Sequence, residues 1–204
     1  PVVCNSHQAH REWGFNNSRV IWHGFDPSEF ALTDYAGGVL SLGRAIRERP
    51  HYRGYEEFKT VCARLGEADR PVHHRVGRPA LYSTSSEIYA RLKYEMYKSS
   101  IRDYSVYFNP TLRSPMPRSR GEAMMSGLVT VSMANHDVQL FIKNGWNGFY
   151  SESPDELADF IEFLLRNKQE CRKIGERGRE TAADIFNHDR YLSSWQALIS
   201  EVLG

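Results

Sequence analysis

The chain has 204 residues, of which 41% are hydrophobic and 25% are charged, and its formal net charge is +1. This length can bury a substantial core, and the composition is ordinary for a globular chain. No apolar run approaches the roughly 20 residues of a membrane-spanning helix, and no signal peptide is visible.

The charges are unevenly distributed along the chain. Residues 1–120 carry 18 basic and 12 acidic side chains, whereas residues 121–204 carry 8 basic and 13 acidic ones. Of the 18 basic residues in the first part, 15 are arginine. Two interpretations remain open at this point, an ordinary solvated surface and a face that binds anions.

Cys4, Cys62 and Cys171 are odd in number, widely spaced and not in a CxxC pattern. We therefore expect a reducing compartment, without structural disulfides or a zinc site. The chain begins at Pro1 without a methionine, which suggests a piece of a longer protein.

The first 36 residues are interpreted as a connecting segment or linker. Residues 1–4 predict a strand, Asn5-Ser6 cap a short helix that ends near Trp13, and an extended segment at 19–23 precedes a turn at 24–30.

From residue 37 onward, short apolar strands alternate with amphipathic helices. The predicted strands lie at 38–43, 104–108 and 128–132, with a further short strand after the Asn-Gly turns at 144–148. The predicted helices lie at 55–65, at 85–100 (with Ile88, Tyr89, Leu92 and Met96 buried), around Glu122, from the Ser153 cap to Leu165, and from about His188. Residues 66–84 suggest one strand and a loop. This alternation predicts a doubly wound α/β domain with a parallel sheet, whose ligands bind at the carboxyl ends of the strands.

The arginine-rich residues 113–120 lead into a helix that we expect to carry Glu122 in its first turn and to end at Gly127. A helix start offers free N–H groups and a partial positive charge, and guanidinium groups suit phosphate oxygens. A glutamate suits the hydroxyls of a sugar or ribose, so the pattern indicates a nucleotide or nucleotide-sugar site. The competing interpretations are a first-turn acid that only favours the helix dipole for Glu122, and surface ion pairs for Arg118 and Arg120.

Several motifs, taken in their order along the chain, resemble the C-terminal domain of GT-B fold glycosyltransferases, and family 4 of the retaining enzymes ("glycosyl transferases group 1") most closely. They are Gly43-Arg44, Arg53-Gly54, Phe108-Asn109-Pro110, Gly121-Glu122-Ala123-Met124, Ser126-Gly127 with the Val-rich strand after it, the turn at 142–148 and the helix start at 153–157. Asn5-Ser6 and residues 23–30 resemble the junction of that family's two domains, which implies a separate N-terminal domain.

The resemblance implies a donor site. Its expected diphosphate-binding residues are Gly43, Arg44, Arg53, Arg118, Ser119 and Arg120, and its expected ribose- or sugar-facing residues are Glu122, Ser114, Asn135 and His136. Ser114 stands where the family has the first of two paired glutamates, and residues 136–140 replace its Gly-Gly-x-Pro-Glu element. His136 can also be read as a plain turn residue. The resemblance assigns no catalytic residue in this chain.

The expected function is therefore donor binding in a retaining hexosyltransferase that moves a sugar from a UDP- or GDP-type donor to a glycan or glycolipid acceptor. The absence of an Asp-x-Asp pair predicts metal-independent chemistry without a cofactor. The expected division is a linker at 1–36, a Rossmann-like domain at 37–186 and a C-terminal helix at 187–204. Because acceptor binding would come from the other domain, the chain alone should bind donor weakly and turn over little.

By analogy with the family, we expect a bacterial polysaccharide or glycolipid pathway, a cytoplasmic location, peripheral membrane association through the missing domain, and no nucleic-acid partner. Two alternatives remain open. One is a non-catalytic nucleotide-binding or interaction domain on a degenerate GT-B scaffold. The other is a sugar-nucleotide epimerase of the same fold, which should show a cluster of carboxylates and histidines in its cleft.

Overall fold

A computed structural model describes residues 1–43, 45–75, 86–113 and 116–204, so Arg44 and Ser114 lie outside the described residues. The strands are β1 (Val2–Cys4), β2 (Ser18–Val20), β3 (Val39–Gly43), β4 (Val72–Arg75), β5 (Val106–Asn109), β6 (Val129–Met133) and β7 (Phe149–Ser151). The helices are α1 (His7–Trp13), α2 (Pro50–Arg53), α3 (Tyr55–Arg64), α4 (Ser86–Ile101), α5 (Arg118–Met125), α6 (Val138–Phe141), α7 (Pro154–Arg166), α8 (Lys168–Ile185) and α9 (His188–Leu203).

The described residues form a five-stranded sheet with the order β4-β3-β5-β6-β7, in which all neighbouring strands are parallel. The chain winds from β3 to β4 on one side and then crosses to β5 on the other. The winding direction therefore reverses between β3 and β5, and the crevice outside their carboxyl ends is where such sheets bind ligands. The doubly wound parallel fold predicted from the sequence is confirmed.

Alternate side chains of each strand face opposite layers of helices. Val106 and Phe108 of β5 pack in the core that α3 and α7 cover, where Val61 and Leu157 are fully buried. Tyr107, between them, faces the opposite layer with residues of α4 and α5. Tyr107 thus points to the face of the sheet that α5, the helix carrying Glu122, covers.

Residues 1–36 are attached firmly to the main sheet's helices. Strands β1 and β2 form a small parallel sheet with α1 between them. Phe25 and Phe30 then pack with Met124 and Met125 of α5 and with Phe186. The segment interpreted as a linker therefore contributes to a hydrophobic core on the helix that carries Glu122.

Three expectations about the helices were wrong. Helix α5 begins at Arg118, so Glu122 lies in its second turn rather than its first. Leu92 and Met96 of α4 are 58% and 72% exposed, because this helix turns Tyr97 and Ile101 toward the core instead. No helix was predicted between the strand at 38–43 and the helix at 55–65, where the structure has α2. Tyr89 and Ile88 lie in the part of α4 whose side chains are not described.

Helix α8 was not predicted, because its buried face is made largely of small residues. Cys171, Ile174, Gly175, Gly178 and Ala182 are its buried positions. The small face allows close approach: a Cβ on Gly175 would lie 2.2 Å from the backbone oxygen of Gly127. Among the described helices, none has the length and apolar composition needed to cross a bilayer.

We predict that Gly175→Ala lowers the free energy of unfolding by about 1–3 kcal/mol, because the added methyl group overpacks a contact with rigid backbone. Urea denaturation of the variant measures the change. Gly66→Ala is the matched control, since a Cβ there would meet only the Asp69 carboxylate at 3.9 Å. Equal midpoints for Gly175→Ala and the unsubstituted chain would contradict the close contact.

Candidate functional site

The loops that follow β3 and β5 are joined at the switch point of the sheet. The backbone N–H groups of Leu112 and Arg113 both donate to the Tyr52 carbonyl at 3.1 Å. Gly54 has a positive φ of 68°, and a Cβ on it would lie 1.7 Å from the Pro110 oxygen, so only glycine allows this approach. Helix α2 is thereby held against the end of β5, with Arg53 as its last residue.

Tyr107 lies near four of the predicted site residues, namely Arg53, Ser119, Arg120 and Glu122. It is fully buried, and its hydroxyl pairs with Ser119 Oγ at 2.8 Å. Burial raises the pKa of Tyr107 to about 12, Glu122 adds to this, and the Ser119 hydrogen bond, Arg120 and Arg53 oppose it. The charges of Arg53, Arg120 and Glu122 therefore all act on one hydroxyl, beside the end of β5.

Helix α5 presents Arg118 and Glu122 on the same side. Arg118 Nε lies 3.4 Å from Glu122 Oε1, and the Arg118 side chain is 53% exposed while that of Glu122 is 7% exposed. The Arg118 guanidinium also lies 4.7 Å from the centre of the Phe25 ring, a cation–π contact. The Arg118 guanidinium is thus held by Glu122 and Phe25, while about half of the side chain stays accessible to solvent.

Arg120 points to the opposite side of α5 and is fully buried. Its guanidinium donates to Asn135 Oδ1 at 2.9 Å and to the His136 carbonyl at 2.8 Å, and it lies 5.2 Å from the centre of the Phe141 ring. Burial lowers the pKa of Arg120 to about 10, while Tyr107 and Asp137 oppose the shift. In this structure Arg120 holds the loop after β6, instead of facing outward where a diphosphate could reach it.

Asn135 and His136 are also turned toward the protein. Asn135 Nδ2 donates to the Thr111 carbonyl. His136 has a positive φ of 34°, and its ring Nδ1 lies 3.2 Å from Ser6 Oγ. Its backbone N–H donates to Gln8 Oε1 at 2.7 Å. The turn interpretation of His136 fits this geometry, and the two residues bind the loop after β5 and the start of α1.

Asp137 extends the same loop to the N-terminal segment. Its carboxylate accepts from the backbone N–H groups of His7 at 2.5 Å and Gln8 at 3.0 Å, and from Trp22 Nε1 at 3.1 Å. The start of α1 is therefore bound to the loop that Arg120 holds.

Two tyrosines of α4 bind Glu122, which sequence reasoning missed. Tyr97 donates its hydroxyl to Glu122 Oε2 at 2.8 Å, and Tyr94 donates to Oε1 at 3.2 Å. Burial, with Glu122 as the next cause, raises the pKa of Tyr94 to about 12 and raises that of Tyr97 further. Both hydroxyls therefore stay protonated donors at neutral pH. Their spacing of three residues on one helix was the available signal.

His23 is a second residue near the site that was not predicted. Its Nε2–H donates to the Met116 carbonyl at 3.1 Å. Burial lowers the pKa of His23, with Arg118 and Arg120 adding to the shift and Glu122 opposing it. His23 also lines a cavity of about 190 Å³, together with His7, Trp22, Arg190 and Tyr191. Among the described residues, no group of three or more His, Cys, Asp or Glu side chains could hold a metal ion.

A family described as "Glycosyl transferase-like" matches residues 43–196 of the chain. The chain belongs to this family, within the group 1 glycosyltransferases. No curated protein matches the sequence.

Solved structures of GT-B glycosyltransferases share the fold. Sucrose-phosphate synthase from Thermosynechococcus elongatus aligns with a TM-score of 0.74 at 17% identity, over 99% of this chain and 58% of the synthase. HepE from Anabaena, in complex with UDP-glucose, aligns with a TM-score of 0.74 at 16% identity, over 98% of this chain and 63% of HepE. The C-terminal domain of the group 1 protein LpcC from Francisella tularensis aligns with a TM-score of 0.58 at 13% identity, over 80% of this chain and 99% of that domain.

We predict that acid destabilises the protein partly through His136, because burial lowers the pKa of this residue in the folded state. As the pH falls through about 6.5, the unfolded chain binds the proton first, so the free energy of unfolding falls with it. His136→Asn, which tolerates the positive φ, should lose less stability between about pH 7.5 and about pH 5.5.

Denaturant unfolding at both pH values measures this difference. His188→Asn, at an exposed position that begins α9, is the control and should keep the pH dependence of the unsubstituted chain. The same pH dependence in His136→Asn as in the control would show that His136 contributes nothing.

Proposed function

We propose that this chain is the donor-binding domain of a retaining glycosyltransferase of family 4. It would bind a nucleoside diphosphate sugar, with UDP or GDP as the nucleotide, whose sugar is transferred to an acceptor hydroxyl. The observation that carries the proposal is the grouping of Arg53, Ser119 and Glu122 around Tyr107 at the switch point of the sheet.

The diphosphate would lie between α2 and the start of α5. Arg53 comes from the first and Arg118 and Ser119 from the second, and the N-cap residue Pro117 makes no side-chain cap hydrogen bond within the described part of the chain. A helix start and guanidinium groups together stabilise negative charge on the departing nucleotide, which is the work a metal ion does in other transferases. Gly43 and Arg44 are proposed as further diphosphate ligands, from the sequence.

The ribose would bind at Glu122, a residue that is 6% exposed and whose carboxylate accepts hydrogen bonds from hydroxyl groups. Two tyrosine hydroxyls already occupy this carboxylate, which is the chemistry a ribose diol would offer. The sugar-facing position at Ser114 is a proposal from the sequence.

The acceptor would be a glycan or glycolipid bound largely by a separate N-terminal domain. HepE is known in complex with UDP-glucose, and TarM from S. aureus in complex with UDP and a GlcNAc-glycerol. This chain spans 58% of the synthase and 43% of TarM, so the whole protein would carry a further domain. The division at 1–36, 37–186 and 187–204, metal-independent transfer, a bacterial polysaccharide pathway and a place at the cytoplasmic side of a membrane belong to this proposal.

A second candidate is a non-catalytic nucleotide-binding or interaction domain on the same scaffold. It is favoured by Ser114 in place of a glutamate, and by the inward hydrogen bonds of Asn135 and His136. The two candidates differ in whether the bound sugar is transferred.

We predict that the chain binds UDP or GDP with micromolar to millimolar affinity, and that Arg53→Ala weakens binding at least about tenfold, since charge-assisted hydrogen bonds to phosphate are lost. Isothermal titration calorimetry with each nucleotide measures the affinity. Arg44→Ala should weaken it similarly.

Arg166→Ala is the control, because this arginine pairs with Glu162 on the exposed surface of α7. An absence of heat with every nucleotide would remove the donor-binding proposal. Nucleotide binding without sugar transfer, when the whole protein is given donor and acceptor, would instead select the non-catalytic candidate.

A further inference from the structure

Most of the hydrogen-bonding capacity of Glu122 is taken up by the protein. Among the described residues, Oε2 accepts from the Tyr97 hydroxyl at 2.8 Å, and Oε1 accepts from the Tyr94 hydroxyl at 3.2 Å and from Arg118 Nε at 3.4 Å. A carboxylate offers about four acceptor positions, so a ribose with two hydroxyls cannot simply be added. At least one protein donor has to leave when a nucleotide binds.

The two tyrosines differ in how firmly they are held. The Tyr97 ring packs against the core formed by Leu40, Tyr107 and Ala123, and its hydrogen bond is the shorter one. The Tyr94 ring stacks on Tyr97 with 6.0 Å between ring centres, and the Lys98 ammonium lies 4.9 Å from its centre.

Tyr94 is therefore on the outer side of the pair, and its hydrogen bond is the longer one. Once released, its hydroxyl can bond to water, whereas the Tyr97 hydroxyl is enclosed and would be left without a partner.

We propose that the Tyr94 hydroxyl occupies the place of a ribose hydroxyl on Glu122 Oε1 in the nucleotide-free chain, and that Tyr97 is a positioning residue that keeps the carboxylate oriented. This inference rests on the proposed function, because it assigns a ligand hydroxyl to the same carboxylate. Neither tyrosine belongs to the motifs that carry the family resemblance.

The arrangement makes the Tyr94 hydroxyl a competitor of the ribose, so it lowers the preference of the site for nucleotides that carry ribose hydroxyls. A ribose hydroxyl replaces the tyrosine hydroxyl like for like, so the carboxylate stays satisfied throughout the exchange. A nucleotide without ribose hydroxyls offers no replacement, and displacing Tyr94 would leave a nearly buried carboxylate oxygen short of a donor, so Tyr94 stays in place when such a nucleotide binds. The same exchange weakens the binding of a ribonucleotide such as UDP, since the Tyr94–Glu122 hydrogen bond is broken when the ribose–Glu122 hydrogen bond forms.

The test is calorimetry on the 204-residue chain with two probes, UDP and 2′,3′-dideoxy-UDP. The unsubstituted chain should prefer UDP. Tyr94→Phe keeps the ring and removes the competing hydroxyl, so it should tighten UDP binding by about threefold to tenfold, the equivalent of one net hydrogen bond, and leave dideoxy-UDP binding unchanged. Tyr97→Phe should weaken UDP binding and reduce the preference for UDP over dideoxy-UDP, because Glu122 loses its orientation.

Tyr150→Phe, on the edge strand β7, is the matched control and should bind both probes as the unsubstituted chain does. UDP binding that Arg53→Ala abolishes, but that Tyr94→Phe leaves equal or weaker, would overturn this inference and leave the proposed function standing. Equal affinity of the unsubstituted chain for both probes would overturn it as well, without any variant. Failure to bind UDP and GDP at all would overturn both.

Discussion

The site depends on a single buried cation. Removing a guanidinium from water costs several kcal/mol unless its donors are satisfied, and among the described residues Arg120 finds its acceptors on Asn135 and His136, while its Nε has none. Charge-assisted hydrogen bonds of this kind fix both distance and direction. Helix α5 is therefore locked to the loop after β6, and Asp137 in that loop holds the start of α1. Arg120 and Asp137 together thus connect the loop after β6 to α5 and to the N-terminal segment.

The helical period then places the charged residues of α5 on two different sides of the helix. Successive residues of an α-helix are turned by about 100°, so residues four apart share a side and residues two apart nearly oppose each other. Arg118 and Glu122 form an ion pair on one side of α5, whereas Arg120 between them faces the core. A helix held by its inner face can present charged groups at its outer face without rotating, which is the preorganisation that anion binding requires.

The features that could be predicted from the sequence depend on neighbouring residues, and the features that were missed depend on contacts between distant segments. Helix α7 begins where the Ser153-Pro154 cap predicted, because the cap is local chemistry. Helix α8 was not predicted because glycine and alanine on its inner face give no apolar stripe. The close packing of α8 against the Gly127 backbone accounts for these small residues. Tyr94 and Tyr97 reach Glu122 from 28 and 25 residues away, a proximity set by how α4 and α5 cover the same face of the sheet. The sequence alone did not show which of Arg113, Arg118 and Arg120 is buried. The start of α5 at Arg118 determines the sides of the helix on which Arg118 and Arg120 lie.

The uneven distribution of charge along the chain can be compared with the positions of the charged side chains in the fold. Many acidic residues after residue 121 lie on exposed helix surfaces, several of them in pairs such as Arg166–Glu162, Arg172–Glu176 and Lys173–Glu170, each worth little in stability. Among the described residues before residue 121, two groups of arginines can be distinguished. Arg19 and Arg64 join distant elements through Glu201 and Asp159. Others follow the carboxyl ends of β3 and β5, namely Arg47, Arg49, Arg53, Arg113 and Arg118. Cations collected at the mouth of a crevice with low-dielectric walls raise the local concentration of an anionic ligand, which a merely solvated surface would not do. The anion-binding interpretation of the basic half therefore belongs to the donor site proposed above, which requires such a placement.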